Sequence, residues 1–208
     1  MHDDDLNELV STIASTTGSL TNPTNLANTF KSQKKSTLTR DTIAKYLEYM
    51  EDAFMIERSM RYDIRGKRYI DTPYKYYFGD LGLRNARINF RQKDDGHLME
   101  NMIYNELRTL GIAVDVGEVI VEQKDSTGKR KRVMLEVDFV CNRVYIQSAY
   151  EMTNEEKLRQ ELNSLCRIRD GFRRIVITGP LQPTLMNDNG ILFVNIFDFL
   201  DNPEKFVG

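Results

Sequence analysis

The stretch RVMLEVDFVCNRVYIQSAY, residues 132–150, decides the fold of this chain. It predicts two adjacent β-strands joined by a tight turn at residues 141–143. Side chains alternate between the two faces of a strand, so one face of the first strand is apolar. That face carries Val133, Leu135, Val137 and Phe139. The opposite face carries Glu136 and Asp138, two residues apart.

The second strand has the same alternation. Tyr145, Gln147 and Ala149 share one face, and Val144, Ile146 and Ser148 share the other. Carboxylates near the end of one strand, with a polar position on the next, form a suitable layout for a hard metal ion with oxygen ligands.

The composition is that of a soluble globular protein. The 208 residues are 40% hydrophobic and 29% charged, which allows one large domain or two small ones. No apolar run reaches the ~20 residues of a membrane-spanning helix, and the acidic N-terminus is not a signal peptide.

Cys141 and Cys166 do not form a disulfide framework, so we expect a cytoplasmic protein. Two histidines argue against a His-rich metal site, and this chain contains no P-loop motif.

Charge is unevenly distributed along the chain. The net charge is −2, yet residues 56–93 carry ten basic side chains against four acidic ones. Residues 94–208 carry fourteen basic against nineteen acidic side chains. The basic middle is therefore the candidate contact region for a polyanion.

The first part of the chain predicts three helices and a hairpin. Helices are expected over residues 4–16, from Pro23, and from the capping residue Thr39 to Phe54. The third has a buried stripe of Ile43, Leu47, Met50 and Phe54. Residues 54–62 and 68–78 then form a hairpin, and Gly66 occupies the turn position that requires a positive φ. Helices followed by a basic hairpin predict a winged helix-turn-helix domain.

The second part predicts a mixed α/β domain. A helix over residues 95–110 precedes a strand at 114–123, a charged loop at 124–132 and the two strands of the opening stretch. A helix at 154–169, strands at 174–178 and 191–196 and a terminal helix complete the order. We place the domains at residues 1–88 and 89–208.

Six motifs in order carry a family resemblance. They are YLEYMEDAFMI from Tyr46, RYDIRGKRY from Arg61, YYFGDLGLRN from Tyr76, LMENMIYNEL from Leu98, EVDFV from Glu136 and YIQSAY from Tyr145. Together they resemble the C-terminal region, DUF4143, of bacterial and archaeal AAA-type P-loop ATPases. The resemblance implies a winged helix followed by a restriction-endonuclease-like α+β or α/β domain of the PD-(D/E)xK type. It also implies that an N-terminal ATPase module, which binds ATP, precedes this chain and is its partner.

The same resemblance implies a nuclease-like site in which two catalytic side chains are replaced. Glu100, Asp138 and Gln147 match the acidic positions and Ala149 matches the lysine. In such nucleases the acids hold Mg²⁺, which activates a water, and the lysine orients that water. Here Gln147 replaces an acid and Ala149 replaces the lysine, so Glu100 and Asp138 would hold Mg²⁺ only weakly. Lys157 or Arg159 would be the substitute cations, and Glu136 a substitute ligand.

Basic residues in two segments are candidates for contact with DNA phosphates, which require only positive charge in the right place. They are Arg58, Arg61, Arg65, Lys67 and Arg68 in the hairpin, and Lys129, Arg130 and Lys131 in the charged loop. A solvated surface is the alternative for both segments. The third helix exposes four acids against two bases, which is unsuited to reading the major groove.

The sequence thus predicts a DNA- or partner-binding module with a degenerate nuclease site, without contact with a membrane. It needs no cofactor of its own, and we do not expect this chain to be an enzyme, although its parent would be an ATPase. One alternative is an active Mg²⁺-dependent endonuclease with a displaced lysine. Another is a protein-interaction platform that does not contact DNA.

Overall fold

The structure is a computed structural model that describes residues 3–34, 38–91, 94–124, 128–152 and 155–208. Within these ranges the chain is a mixed α+β protein with eight helices and an eight-stranded mixed sheet. The helices are α1 (Asp3–Ser15), α2 (Pro23–Lys34), α3 (Arg40–Asp52), α4 (Leu81–Arg87), α5 (Asp95–Thr109), α6 (Glu155–Cys166), α7 (Ile196–Asp201) and α8 (Glu204–Val207). The strands are β1 (Ile56–Asp63), β2 (Arg68–Phe78), β3 (Asp115–Lys124), β4 (Arg130–Cys141), β5 (Val144–Ala149), β6 (Arg173–Thr178), β7 (Leu185–Met186) and β8 (Leu192–Asn195).

The chain divides into two compact units. Unit 1 comprises Met1–Ser59 and Asp71–Asn101, and unit 2 comprises Met60–Ile70 and Met102–Gly208. This division differs from the boundary expected near residue 88, because the tip of the β1–β2 hairpin belongs to unit 2. None of the described helices is long and apolar enough to cross a membrane.

Unit 1 is built on the three helices that the sequence predicts. The side chain of Thr39 caps α3 by accepting from the amide of Thr42. Ile43, Leu47 and Met50 are buried with residues of α1, α2 and the unit 1 parts of the hairpin. Phe54, expected in the same stripe, is instead 89% exposed, because α3 ends at Asp52 and the backbone turns to a positive φ of 55° at Phe54.

Unit 1 also contains a helix that we did not expect. The sequence pattern predicts no helix directly after the hairpin, yet α4 begins immediately after Asp80. The Asp80 carboxylate caps this helix by accepting from the amide of Leu83 at 2.8 Å. The buried Arg84 then donates to the carbonyl oxygen of Ala14 at 2.7 Å. This helix is short and is stabilised by one cap and one buried guanidinium, so the sequence shows no apolar periodicity that would predict it.

Unit 2 contains the body of the sheet, whose strand order is β2-β1-β3-β4-β5-β6-β8-β7. Its β3–β4, β4–β5 and β7–β8 pairs are antiparallel, and its β1–β3, β5–β6 and β6–β8 pairs are parallel. One face of β3, β4 and β5 packs against α6 around Val119, Val137, Tyr145 and Leu165. The predicted turn between β4 and β5 is confirmed at Asn142 and Arg143, whereas Cys141, expected in the same turn, is the last residue of β4.

The alternation along β4 slips at one point. Gly117 pairs with Val137, but Asp115 pairs with Val140, so Asp138 and Phe139 together oppose Val116. This is a β-bulge, which inserts one extra residue and redirects the side chains after it. Val140 therefore joins the core beside α6, whereas Phe139 contacts the ring of Tyr104 at 6.3 Å between centroids. The expectation that Phe139 shares a face with Val133, Leu135 and Val137 was wrong for this reason.

Two turn predictions also need correction. In the hairpin turn Lys67, not Gly66, has the positive φ, at 51°. Gly66 leaves space for the Asp63 carboxylate, because a Cβ at residue 66 would lie 2.2 Å from one of its oxygens and would force that side chain to move. In the segment 124–132, β4 already begins at Arg130, so Arg130 and Lys131 are strand residues paired with Lys124 and Gln123. Residues 125–127 of that segment lie outside the described residues.

Candidate functional site

Asp138 lies at the β-bulge and is only 6% exposed. The β4–β5 ladder runs from Cys141–Val144 to Phe139–Ile146 and stops there. Beyond that point the Asp138 carboxylate accepts a hydrogen bond from the amide of Ser148 at 2.8 Å. The acid therefore replaces a strand partner and is fixed where the two strands part.

Gln147 and Glu161 complete a polar cluster with Asp138. The Gln147 side-chain amide donates to the Glu161 carboxylate at 3.4 Å. Burial raises the pKa of Glu161 above its usual range, and the nearby Asp138 charge raises that pKa further. The Gln147 hydrogen bond and the Lys157 charge lower it in part. Two carboxyl groups, an amide and an ammonium group thus influence one another within unit 2.

Sequence reasoning missed Glu161, although a signal was present. Glu161 lies three residues after Leu158 and four before Leu165, which are two apolar positions of α6. That spacing places Glu161 on the face that packs on the sheet. A glutamate at such a position requires a polar partner beneath it, and Gln147 is that partner.

Ala149 occupies the position that corresponds to the lysine of the resembling nucleases. It is 3% exposed and belongs to the apolar cluster of unit 2, together with Tyr145 and Leu165. A methyl group in an apolar core supplies no proton and no charge. Lys157, which the sequence analysis names as a substitute cation, lowers the pKa of Glu161 through its charge. Arg159 is exposed and lines a groove beside α6.

Glu100 belongs to unit 1, whereas Asp138 belongs to unit 2. The Glu100 carboxylate accepts from the Lys75 ammonium group at 2.8 Å and from the Tyr77 hydroxyl at 2.7 Å. Lys75 and Tyr77 are both buried, so Glu100 has its charge partner inside unit 1. A metal site shared by Glu100 and Asp138 stays a prediction. Among the described residues no group of three or more His, Cys, Asp or Glu side chains is placed to hold a metal ion.

Two of the predicted DNA contacts, Arg61 and Arg65, are engaged by other parts of unit 2. Arg61 is 8% exposed, and its guanidinium forms a buried ion pair with Glu118 and contacts the Met134 sulfur at 2.9 Å. Arg65 donates to the carbonyl oxygens of Ile120 at 2.9 Å and Arg167 at 3.2 Å. Arg61 is therefore closed to a phosphate, and Arg65 fixes the hairpin turn.

The other predicted contacts are more accessible. Arg58 of unit 1 lies 3.4 Å from Glu51 and over the ring of Tyr74. In unit 2 the Arg68 side chain is 77% exposed and 3.8 Å from Asp63, and Lys67 is exposed. Lys129, Arg130 and Lys131 are also exposed, with Arg130 at 3.7 Å from Glu122. These side chains lie at the surface, so their contact with an anion stays a prediction.

The known proteins and the domain family that this chain resembles have no described activity. Residues 2–94 match the model of a domain of unknown function, DUF8612. An uncharacterised protein of Haemophilus influenzae is 32% identical over 199 residues, which cover 94% of this chain and 45% of that protein. An uncharacterised protein of Methanocaldococcus jannaschii is 28% identical over 138 residues, which cover 65% of this chain and 28% of that protein. No solved structure gives a significant match. The chain thus spans less than half the length of the curated relatives it matches.

Proposed function

We propose that this chain is a nucleic-acid-binding portion of a longer protein, and that its nuclease-like centre around Asp138 does not cut. In this proposal unit 2 derives from the PD-(D/E)xK fold, and the helices of unit 1 form a winged helix-turn-helix. On the resemblance alone, the longer protein is an AAA-type P-loop ATPase whose motor module binds ATP and is the first partner of this chain.

The observation that carries the proposal is the composition of the Asp138 cluster. The amide of Gln147 is engaged with Glu161, and Ala149 is part of the apolar core. Hydrolysis of a phosphodiester requires an activated water and stabilisation of developing charge. With a neutral amide at one acid position and a methyl group at the lysine position, the matching strand residues supply only Asp138.

Support for binding comes from exposed positive charge in unit 2. Lys67, Arg68 and the run Lys129–Lys131 are exposed. Side chains of this kind bind phosphates without sequence preference and lose affinity as salt rises. The bound polymer would therefore be recognised through its backbone.

A charge-reversal variant tests the binding part. Lys129→Glu/Arg130→Glu/Lys131→Glu should weaken binding to a labelled oligonucleotide by about tenfold or more at low salt. Each phosphate contact that is lost means that fewer counterions are released on binding. Arg143→Glu/Arg173→Glu/Lys205→Glu is the matched control, since it changes the charge equally at exposed positions of unit 2 outside the predicted contact segments. Fluorescence anisotropy measures both. Equal losses in the two variants would contradict a local contact, and no binding by the parent would favour a protein-interaction platform.

A second candidate function is an active metal-dependent nuclease. It is favoured by Lys157 and Glu161, which α6 brings into electrostatic interaction at the Asp138 cluster. Incubation of supercoiled DNA with Mg²⁺ or Mn²⁺ separates the candidates. We expect intact DNA, whereas cutting that disappears in Asp138→Ala would establish the nuclease.

A further inference from the structure

Unit 2 contains a groove beside α6 that belongs to none of the sites considered above. Its volume is about 760 Å³, within the ~300–1,000 Å³ of typical small-molecule sites. Four arginines line it, namely Arg65, Arg159, Arg167 and Arg169, and Glu122 is the one acid among the described residues of its lining. Positive charge therefore dominates this groove.

The charge of three of these arginines is not neutralised by the described part of the protein. Arg159, Arg167 and Arg169 are exposed and have no ion pair with any described carboxylate. Nearby acids are engaged elsewhere: Glu122 lies 3.7 Å from Arg130. Asp170 accepts from the Tyr145 hydroxyl at 2.6 Å and from the amide of Phe172 at 3.1 Å.

Arg65 has a different role in the groove. Among the described residues its guanidinium has no carboxylate partner, and it donates to the carbonyl oxygens of Ile120 and Arg167. Carbonyl groups at the C-terminal end of a helix lack helical partners, and Arg167 directly follows α6. Arg65 thereby holds the backbone that carries Arg167 and Arg169.

The groove also has an apolar part. Leu158 and Leu162 of α6 and Val121 of β3 line it together with the arginines. Inorganic phosphate would engage only the guanidinium groups. A nucleotide would use both parts, because a base packs on apolar side chains and on arginine planes while its phosphate pairs with guanidinium groups.

We propose that this groove binds a nucleotide, either free or as one unit of a single nucleic-acid strand. The phosphate lies against Arg167 and Arg169, and the base lies against Leu158 and Leu162. A second cavity of about 520 Å³ shares Arg65, Arg167 and Arg169 and adds Lys67 and Asp170. Its cationic side chains outnumber its one described acid, so it provides for the next phosphate of a strand. The strand form rests on the proposed function, whereas the free-nucleotide form does not.

A cysteine in the groove provides a direct reporter. Cys166 lines the groove and is exposed, whereas Cys141 is 1% exposed. The rate of Cys166 modification by a thiol reagent is measured with adenosine 5′-monophosphate, with a short 5′-phosphorylated oligothymidylate and with inorganic phosphate. A bound nucleotide at ten times its Kd should slow modification by about tenfold. Protection by the oligonucleotide alone assigns a strand as the source, and protection by the mononucleotide alone assigns a free nucleotide.

Variants test the same groove independently. Arg167→Ala/Arg169→Ala should weaken nucleotide binding by about tenfold or more, since hydrogen bonds between charged groups are lost. Arg143→Ala, an exposed arginine in the turn between β4 and β5, should change nothing. Equal weakening by Arg143→Ala, no protection by any probe, or protection by phosphate as strong as by the nucleotides would overturn the proposal.

The two proposals fail in distinguishable ways. If the oligonucleotide binds and Cys166 stays fully reactive, nucleic-acid binding stands and the groove is not its site. If adenosine 5′-monophosphate protects Cys166 and no oligonucleotide binds, the groove stands and the proposed function is wrong.

Discussion

Arg61 and Glu118 show at the scale of single residues why sequence charge is an incomplete guide to contact surfaces. Their side chains are only 10% and 9% exposed, and they form an ion pair between β1 and β3. Glu136 lies opposite Glu118 in the β3–β4 ladder. The basic hairpin predicted from the sequence therefore contributes one of its arginines to the interior of unit 2.

Removal of one partner of this pair should be costly. Arg61→Met leaves the Glu118 charge buried, so we expect a loss of about 3–5 kcal/mol in the free energy of unfolding. Arg61→Met/Glu118→Leu removes both charges and should recover most of that loss. Denaturant titration measures both variants, and oligonucleotide affinity should be unchanged in the double variant. A loss in Arg61→Met below about 1 kcal/mol would mean that the pair is solvated.

Asp115 gives a pH-dependent test. Burial raises the pKa of its carboxyl above the usual 3.8, and the hydrogen bond from Tyr69 opposes this in part. A carboxyl with a raised pKa in the folded state binds its proton more tightly there than in the unfolded chain. Its contribution to stability is therefore present below pH 3.8 and is lost as the pH rises through the folded-state pKa.

Asp115→Asn cannot ionise and keeps an oxygen that accepts from Tyr69. The unfolding free energy of the variant minus that of the parent should therefore increase from pH 3.8 towards neutrality. Urea titrations at matched pH values measure this difference, in which the other titrating groups cancel. A difference that stays constant or decreases would show that burial does not control Asp115.

At the scale of elements, the bulge in β4 determines which side chains enter the candidate site. Gly117 faces Val137 in the register, where the bulge begins. A Cβ on Gly117 would lie 2.8 Å from a Val140 methyl carbon, 2.9 Å from Val137 and 2.9 Å from Ile64. All three neighbours are core residues of unit 2, so they have little room to move.

Gly117→Ala should therefore lower the free energy of unfolding by about 1–3 kcal/mol, as overpacking of a core does. Gly171→Ala is the matched control, because no atom lies within 4 Å of its added Cβ. The control should be neutral or stabilising by up to about 1 kcal/mol. Thermal and denaturant unfolding measure both variants, and equal effects of the two substitutions would refute the close packing at the bulge.

Elements that depend on neighbours in sequence were predictable. The capping of α3 by Thr39, the turn at Asn142 and the apolar face of α6 all follow from local patterns. The bulge could not be predicted, because it arises from the pairing of β4 with β3 and the residues around Asp138 carry no local pattern that indicates it. Phe54 was misassigned since its helical spacing continues past the last turn of α3.

The candidate site was predictable only in part for the same reason. Asp138, Gln147 and Ala149 were found from strand period and resemblance. Glu161 reaches the cluster from a helix that packs across β4 and β5. The arginines beside α6 come from separate segments, which tertiary folding alone joins.

At the scale of the whole molecule, a net charge of −2 conceals a strongly basic groove in unit 2. The exposed Lys129–Lys131 run is a further concentration of positive charge in this unit. Asp138 is the one acid at the strand positions that match the nuclease site, and unit 2 also carries these basic surfaces. We therefore propose that unit 2 binds a nucleic acid without cleaving it.

The most direct test measures the affinity of the parent protein for a labelled single-stranded oligonucleotide over a range of salt concentrations in the presence of Mn²⁺, and then examines the strand on a denaturing gel. We predict that the logarithm of the binding constant falls linearly with the logarithm of salt, with a slope of about −0.7 for each phosphate neutralised, and that the strand stays intact. Absence of binding at low salt, or cutting that Asp138→Ala abolishes, would contradict binding without cleavage.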